Sequence, residues 1–501
     1  MEAFLHPLQG LAEFGEIKKR CGANCGILNV SGCMESQKVH LMYGLSGLFP
    51  YHLILADDER NAKEIYEDYR FYDKNVYFYP AKDLLFFQAD IHGNLLIRQR
   101  MRVIRALLEQ EEVTVVTSID GCMDFLMPLE KIRSRLLHFK SDSVIDLDQL
   151  KEELVELGYE RTGQVELPGQ FSVRGGIIDI YPLTEDNPWR IELWDDEVDS
   201  IRSFDAESQR SLENVDEITI YPAAEKMDGE DMVSFLDYFP EEKTLVFLDE
   251  LNHLAENGEG VEEEYRQSRM HREEKGEANL PEQWLCGFQE LQKKLNRRNC
   301  VAVSALSPRR SGWKINEEFD LTVKSVDSYN SSFELLVKDL LQYKSQGYRI
   351  ALLSGSRTRA ERLAKDLSEE GLNAFYSQDM DRIISPGEIM VVYGHARRGF
   401  QYPLIKFAVM TETDIFGKEQ KKRKKKKKYS GNRIQDFAEL SIGDLVVHEK
   451  HGLGIYRGIE KVEVDRVVKD YIKIEYRGGS NLYILATQLD ALQKYSGSSE
   501  N

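Results

Sequence analysis

Short apolar segments alternate with helical patterns along the first part of the chain. The apolar segments are residues 26–30, 51–56, 76–79 and 113–117, each bounded by polar or turn residues. Between them, residues 60–72 and 95–109 have the apolar spacing of helices. Strands that alternate with helices in this way are typical of a parallel sheet with helices packed on its faces. The pattern therefore predicts a multidomain α/β chain that begins with a parallel-sheet domain.

A second region of the same kind runs from residue 331 to residue 411. Apolar side chains within residues 333–341 fall on one helical face, and Gly347 is expected to end that helix. A strand is predicted next, followed by a helix that ends at Gly371. Two further apolar runs, at residues 389–393 and 407–411, complete a second parallel-sheet domain of helicase-like character.

Two other parts of the chain have the pattern of antiparallel strands. Residues 171–182 and 189–202 alternate apolar and polar side chains, and the first of them contains a glycine-rich turn, which predicts antiparallel strands in an α+β insert. The C-terminal part has short strand-like runs separated by glycine-containing turns. These runs are residues 445–448, 454–459, 471–476 and 482–485. They predict a small β-barrel at the C-terminal end of the sequence.

Charge is concentrated in residues 418–428, KEQKKRKKKKK, which contain nine basic residues and one acid. A like-charge run of this kind predicts a solvated linker. The whole chain has 66 basic and 86 acidic residues, a formal net charge of −20. Such a field repels a DNA backbone, so we expect only weak auxiliary DNA contact, through the lysine-rich run. No apolar run approaches the ~20 residues of a membrane span, and we expect a cytoplasmic protein without membrane contact.

The segment after the first predicted strand has the length of a phosphate-binding loop. Such a loop needs glycines whose amides surround the phosphates and a lysine that reaches the β- and γ-phosphates. In residues 27–38, ILNVSGCMESQK, Asn29 and Met34 stand at the two glycine positions and Glu35 stands at the lysine position. Lys38 lies three residues too far along to substitute directly. The sequence therefore predicts a degenerate loop that binds no nucleotide.

Two weaker motifs lead to the same expectation of a chain without a cofactor. Residues 244–250, TLVFLDE, resemble an ATPase strand that ends in a magnesium-binding Asp-Glu pair, but Asp249 and Glu250 are expected to be a strand terminus with solvated charges. Cys21 and Cys25 have the spacing of a zinc pair, but a second close pair of ligands is missing. We predict no metal site and no catalytic residue.

Three segments carry a resemblance to a known family. Residues 158–211, which contain GQFSVRGGIIDIYP, resemble the module shared by the nucleotide-excision-repair protein UvrB and the bacterial transcription-repair coupling factors (Mfd). Residues 409–417, VMTETDIFG, and 443–460, GDLVVHEKHGLGIYRGIE, resemble the coupling factors in particular, the latter their CarD-like RNA-polymerase-interacting domain. The resemblance implies the N-terminal part of such a factor, without the translocase motor that uses ATP and magnesium in the family.

The resemblance also implies a domain order. It is a degenerate helicase-type domain at 1–126, a UvrA-binding α+β insert at 127–222, the second part of the first domain at 223–327, a helicase-like α/β domain at 328–417, a lysine-rich linker at 418–435 and the polymerase-interacting barrel at 436–501. Family members contact UvrA with residues whose counterparts are Arg161, Phe171 and Arg174. Ser172 departs from the family pattern, because UvrB has an arginine there.

The polymerase contact implied by the resemblance is with the β subunit of RNA polymerase, by addition of a strand edge. Its counterparts here are Ile459, Val462 and Val464, although Val462 and Val464 also fit a barrel core. The chain is thus predicted to be a noncatalytic adaptor between stalled RNA polymerase and UvrA. The alternatives are an ATP-driven DNA translocase and a nucleic-acid-binding protein that acts through the lysine-rich run.

Overall fold

The computed structural model describes residues 1–22, 25–82, 94–224, 232–275, 285–308 and 312–417, and beyond them 431–433, 440–448, 452–464, 467–475, 481–485 and 492–495. The chain divides into two compact units. The first takes in residues 1–82, 94–262 and 283–418, and the second includes all strands after residue 430. The lysine-rich run at 418–428 lies outside the described residues. No helix among the described residues is both long and apolar enough to span a membrane.

The first half of the chain alternates helices and strands and then becomes mostly strand. Its elements are α1 (Glu2–Leu8), α2 (Ala12–Cys21), β1 (Ile27–Ser31), α3 (Glu35–Ser46), β2 (Tyr51–Ala56), α4 (Glu59–Tyr72), β3 (Val76–Tyr79), α5 (Asn94–Glu109), β4 (Val113–Ser118), α6 (Ile119–Cys122), β5 (Phe125–Leu126), α7 (Leu129–Ser134), β6 (Leu137–Lys140), α8 (Leu147–Glu156), β7 (Glu160–Arg161), β8 (Gln170–Arg174), β9 (Ile177–Ile180), β10 (Trp189–Trp194), β11 (Glu197–Phe204), β12 (Ser211–Val215) and β13 (Glu217–Ile220).

The second half returns to α/β alternation and ends in strands. Its elements are β14 (Val233–Ser234), β15 (Thr244–Asp249), α9 (Leu251–Lys275), α10 (Phe288–Leu295), β16 (Cys300–Val303), β17 (Ile315–Asp320), β18 (Lys324–Ser325), α11 (Phe333–Ser345), β19 (Arg349–Ser354), α12 (Arg357–Glu369), β20 (Asn373–Tyr376), β21 (Glu388–Tyr393), β22 (Phe400–Tyr402), β23 (Phe407–Thr411), α13 (Glu412–Phe416), β24 (Gly431–Arg433), β25 (Leu445–His448), β26 (Gly452–Val464), β27 (Val467–Glu475), β28 (Asn481–Leu485) and β29 (Leu492–Tyr495). Short 3₁₀ turns occupy Phe235–Tyr238, Glu241–Lys243 and Pro403–Ile405.

The first sheet has seven strands in the order β17-β1-β16-β15-β2-β4-β3, and every pair in it is parallel. Strands β1, β4 and β15 are buried along their whole length, because helices and loops cover both faces of such a sheet. The predicted parallel-sheet α/β fold is confirmed. Strands from two distant parts of the sequence meet in it, since β15 and β16 lie between β1 and β2.

A second α/β sheet has the order β18-β22-β23-β19-β21-β20. Strands β19, β20, β21 and β23 are parallel, and β22 and β18 add antiparallel strands at one edge. Ser332 and Ser356 begin α11 and α12 by accepting hydrogen bonds from amides of the first helical turn. Gly347 and Gly371 follow these helices with φ of +77° and +82°, as predicted, because this backbone conformation favours glycine. The helicase-like character of the domain stays a prediction.

The insert contains a six-stranded sheet in the order β12-β11-β10-β9-β8-β7. Its pairs are antiparallel except for the short β7, which runs parallel to β8. One face packs on α8 through a core that includes Leu150, Leu154, Ile178 and Ile191. The other face is polar.

In the second unit, the strands form an antiparallel sheet in the order β24-β29-β25-β26-β27-β28. Closure of this sheet into a barrel stays a prediction. Its first strand, β24, lies within residues 418–435, which the sequence assigns to a linker, so the sheet begins earlier than predicted. The remaining predicted domain boundaries stay predictions.

Candidate functional site

The loop between β1 and α3 has its amides occupied by protein acceptors. The Gly32 amide donates to the Ala305 carbonyl at 3.3 Å, and the Cys33 amide donates to the Ser304 carbonyl at 3.1 Å. The Met34 amide donates to Gln37 Oε1 at 3.0 Å. A phosphate-binding loop must instead point such amides at the phosphate oxygens. The conformation therefore leaves these donors unavailable to a nucleotide.

Gly32 shows how closely this loop is packed. Its φ is +76°, and a Cβ on it would lie 2.1 Å from the Leu321 carbonyl oxygen. The Leu321 amide in turn donates to the Ser31 carbonyl at 2.9 Å. The chain after β17 therefore lies directly against the loop.

The three predicted loop positions lie in unlike surroundings. Asn29 is buried within β1, and its Oδ1 accepts from Ser304 Oγ at 3.4 Å. Met34 is exposed, and Glu35 begins α3 with φ of +28°. The Glu35 carboxylate lies 3.7 Å from Arg398 Nε and more than half of it is exposed. None of these positions supplies a positive charge, and the prediction that the loop binds no nucleotide remains untested.

Lys38 is buried between the two carboxylates at the end of β15. Its Nζ lies 2.6 Å from Asp249 Oδ1 and 2.6 Å from Glu250 Oε1. Burial alone would lower the pKa of Lys38, but the two adjacent carboxylates raise it above its ordinary value. The sequence-based expectation that Asp249 and Glu250 are solvated is wrong for Asp249, which is 2% exposed.

The two carboxylates that contact Lys38 also accept hydrogen bonds from other groups. Asp249 also accepts from Asn61 Nδ2 at 2.7 Å, and Glu250 accepts from the Ala305 amide at 2.8 Å. A carboxylate pair can ligate a divalent cation, but here the Lys38 ammonium contacts both carboxylates and balances one of their two negative charges. No cluster of three or more acidic, histidine or cysteine side chains suited to a metal occurs in the described part of the chain.

The two parallel-sheet regions are joined beside the loop by buried polar side chains. Gln37 Nε2 donates to the Tyr402 hydroxyl at 3.0 Å, and that hydroxyl lies 3.0 Å from His40 Nδ1. His40 Nε2 lies 2.9 Å from the Phe4 carbonyl. Since a carbonyl only accepts, Nε2 carries the proton and Nδ1 accepts from Tyr402. Residues of α1, α3 and β22 thus share one hydrogen-bond network.

Arg397 forms a second link. Its Nε and backbone amide each donate to the Asp68 carboxylate at 3.0 Å, and its Nη1 donates to Glu64. Asp68 is buried and also accepts from Ser36 Oγ at 2.7 Å. Arg397, from the segment before β22, is therefore bonded to two carboxylates of α4.

Arg397→Met is expected to lower the free energy of unfolding by about 1–3 kcal/mol, because it removes charge-assisted hydrogen bonds to a buried carboxylate. The adjacent Arg398→Met is the matched control, since the Arg398 guanidinium is half-exposed and lies 3.7 Å from the exposed Glu35 carboxylate. It should cost less than about 0.5 kcal/mol. Chemical denaturation followed by circular dichroism measures both. Equal losses in the two variants would contradict a link through Asp68.

On the polar face of the insert, two arginines converge on one buried carboxylate. Arg190 donates through Nε and Nη2 to Asp179 at 2.7 and 2.9 Å, and its guanidinium lies 4.3 Å from the Phe204 ring centre. Arg174 donates through Nη2 to Asp179 at 2.7 Å and remains 45% exposed. Asp179 therefore orients the Arg174 guanidinium at the end of β8 while leaving much of it open to solvent.

The other predicted contact residues of the insert lie differently. Arg161 is exposed on β7, whose backbone pairs with β8. Phe171 is fully buried in the core beneath the sheet, so its prediction as a contact residue is corrected. The physical reason is strand alternation, because Phe171 is an odd number of positions from Arg174 on β8. Ser172 is also buried and donates to the Gly163 carbonyl at 3.0 Å.

The predicted polymerase-contacting residues all lie on β26. Ile459 pairs with Ile472 of β27 and is exposed, whereas Ile472 is buried. Val462 and Val464 pair by backbone with Lys469 and Val467. The side chains of these two valines lie outside what the structure describes, so the choice between contact and core stays open.

Sequence reasoning missed several residues of these sites. It did not pair Lys38 with Asp249, and it did not single out Arg190 or Trp194. Trp194 is 80% exposed at the end of β10. One signal for it was present in the sequence, since Asp195-Asp196 directly after the tryptophan are residues that favour turns.

Comparison with known proteins gives two family matches. The UvrB interaction domain matches residues 137–225, and the CarD-like/TRCF RID domain matches residues 440–496. The first covers the insert sheet with Arg161 and Arg174, and the second covers most of the C-terminal sheet.

Among whole proteins, the transcription-repair-coupling factor of Bacillus subtilis (strain 168) is 30% identical in an alignment that covers 94% of this chain and 46% of that protein. The factor of Staphylococcus aureus (strain MRSA252) is 27% identical over 85% of this chain and 41% of its own length. The chain spans less than half the length of these curated relatives. It is thus similar over most of its length to transcription-repair-coupling factors, and it carries both a UvrB interaction domain and a CarD-like/TRCF RID domain.

Proposed function

We propose that this chain is a noncatalytic adaptor that links RNA polymerase to UvrA in transcription-coupled nucleotide excision repair. The observation that carries the proposal is the presence of a UvrB interaction domain and a CarD-like/TRCF RID domain in one chain. An adaptor needs two separate binding surfaces, and each match supplies one. The similarity to transcription-repair-coupling factors over most of the chain supports a role for both surfaces in the same repair process.

The insert is the UvrA-binding part of this proposal. Arg161 and Arg174 offer exposed guanidinium groups, and Arg174 is oriented by Asp179 before any partner arrives. A planar guanidinium can bind a carboxylate through two parallel hydrogen bonds. Orientation in the free protein reduces the entropy lost on binding. Phe171 supports the site indirectly, because its side chain packs in the core below β8, the strand that carries Arg174.

The C-terminal sheet is the polymerase-binding part, with the β subunit as its partner. Residues Gly452–Ile455 of β26 pair with β25, whereas the remainder of β26 pairs with β27 alone among the described strands. That remainder contains Ile459, Val462 and Val464. A strand with one open edge can add a strand of a partner, with main-chain hydrogen bonds for affinity and alternate side chains for specificity.

The noncatalytic part of the proposal rests on the phosphate loop. Its amides donate to protein acceptors, and Lys38 is held by Asp249 and Glu250. ATP binding would require these hydrogen bonds to break. It would also place the negatively charged triphosphate near the Glu35 carboxylate, which repels it. The alternative, an ATP-driven translocase within this chain, lacks support from this geometry. We place no cofactor in the chain and assign DNA at most a weak contact with the lysine-rich run.

The chain is expected to show no saturable ATP binding and no ATP turnover, with or without DNA. Equilibrium binding of a fluorescent ATP analogue and phosphate release are the measurements. DNA-stimulated turnover that survives exhaustive purification of the chain would contradict the noncatalytic assignment. Such a result would leave the two partner surfaces to be judged by their own binding measurements.

Arg174→Ala and Arg161→Ala are each expected to weaken UvrA binding by about 1–3 kcal/mol, because each removes a charge-assisted hydrogen-bond donor. Lysine at either position should restore the affinity only in part, since the planar fork is lost. Arg210→Ala is the control, because Arg210 is exposed in the same insert just before β12, the opposite edge strand. Isothermal titration calorimetry measures all five variants. Unchanged affinity in both alanine variants would place the contact elsewhere.

A further inference from the structure

The insert exposes apolar side chains, unused by its core, at the end of the sheet where β8 ends with Arg174. Trp194 is 80% exposed at the end of β10, and Val144 is 71% exposed. Trp194 pairs with Glu197 across the β10–β11 hairpin, and Val144 forms a bridge with Glu197 from the other side. Trp194 and Val144 therefore flank the same residue. We call Arg174, Trp194 and Val144 the turn-end surface.

The hairpin that carries Trp194 is held in place by backbone hydrogen bonds. The Ile145 amide donates to the Asp196 carbonyl at 2.8 Å, and the Leu193 amide donates to the Gly176 carbonyl at 2.8 Å. The second bond ties this hairpin to the β8–β9 turn that directly follows Arg174. Asp195 has φ of +62°, which closes the turn tightly. Trp194 thus lies on anchored backbone at the same end of the sheet as Arg174.

An exposed tryptophan of this kind indicates a binding surface. Exposing a large aromatic side chain forgoes the hydrophobic stabilisation of burial, so it is unusual without a use. Tryptophan and arginine are the residues most enriched among those that dominate binding energies at protein interfaces. The anchored hairpin also limits the entropy lost when the side chain is buried by a partner.

We propose that Trp194 is the principal apolar anchor for UvrA, with Val144 on the far side of Glu197 as a secondary contact, an inference that rests on the proposed function. The composition of the turn-end surface determines which side chains a complementary site on UvrA must have. It must offer an apolar pocket for the indole and basic side chains around that pocket, because Asp195, Asp196 and Glu197 are all exposed next to Trp194. Carboxylates that pair with Arg174 complete the complementary pattern.

The test is calorimetric titration of UvrA with the parent chain and three variants. Trp194→Ala is expected to weaken binding at least ~10-fold, whereas Trp194→Phe, which keeps an aromatic ring, should stay within about threefold of the parent. Val155→Ala is the matched control, because Val155 is an exposed apolar residue on α8, on the opposite side of the insert sheet. It should bind like the parent. All variants should keep the parent melting temperature, since the substituted side chains are exposed.

The outcomes separate this inference from the function it rests on. A parent chain that binds UvrA together with an unchanged affinity of Trp194→Ala would overturn the anchor alone. An equal loss in Trp194→Ala and Val155→Ala would also overturn it, because the effect would not be specific to the turn-end surface. A change in the self-association of the chain caused by Trp194→Ala would assign the surface to a second copy instead. No binding by the parent would overturn the proposed function and the anchor together.

Discussion

Replacing Lys38 by methionine is expected to lower the free energy of unfolding by about 3–5 kcal/mol, because it leaves two carboxylates next to each other without a cation. Asp249 is almost completely buried and cannot recover this interaction from water. Methionine has a similar length, so the loss reports charge and hydrogen bonding more than volume. Urea denaturation followed by circular dichroism gives the free energy.

Two further variants establish the cause. Lys63→Met removes an exposed lysine that pairs with Glu59 on α4, and it should cost less than about 0.5 kcal/mol. In the double variant Lys38→Met/Asp249→Asn, much of the lost stability should return, because the unpaired buried charge is gone. Saturable ATP binding by the parent chain that Lys38→Met abolishes without a loss of stability would contradict the account, since Lys38 would then be a nucleotide ligand.

Acid is expected to destabilise the chain through His40. Burial, opposed by the hydrogen bond to the Phe4 carbonyl, lowers the pKa of His40 to about 4. The unfolded chain therefore binds a proton near the ordinary histidine pKa while the folded chain does not. The stabilisation is fully present above about pH 6.5 and is lost as the pH falls toward 4. Between pH 7.5 and pH 4.5 this amounts to about 2–3 kcal/mol, at 1.36 kcal/mol for each unit of pKa.

The comparison with His40→Gln isolates this contribution from the carboxylates that titrate in the same range. The difference in unfolding free energy between the two pH values should be smaller in that variant by about 2–3 kcal/mol. His138→Gln, which alters an exposed histidine on β6, should behave like the parent. If His40→Gln shows the parent's full pH dependence, His40 is not the acid-sensitive group.

Local patterns were sufficient to predict most of the parallel-sheet fold. The apolar runs at residues 51–56 and 76–79 coincide with β2 and β3, and Gly347 and Gly371 follow helices as predicted. These signals work because strand burial and helix termination depend on neighbouring residues.

Contacts between distant residues could not be predicted in the same way. Lys38 and Asp249 are 211 positions apart, and His40 and Tyr402 are 362 positions apart. Only the order of strands in the sheet brings the end of β15 near the start of α3, which carries Lys38. The sequence alone therefore described Asp249 as a strand terminus and gave no sign of its buried partner.

Within the insert, the burial of individual side chains could not be predicted from the sequence either. The motif around Arg174 led to Phe171 as a contact residue, but strand alternation places Phe171 in the core. Conversely, the exposure of Trp194 depends on how β11 and the chain at Val144 meet the end of β10. A pattern of alternating residues does not determine which end of a sheet remains uncovered.

The most direct test of the adaptor is retention of RNA polymerase on immobilised UvrA in the absence of nucleotide. The account predicts that polymerase is retained only when this chain is added, and that Arg174→Ala reduces its retention while Arg210→Ala does not. Binding of each partner separately, without retention of polymerase through the chain, would contradict the claim that it links the two. Retention that requires ATP would contradict the claim that it does so without catalysis.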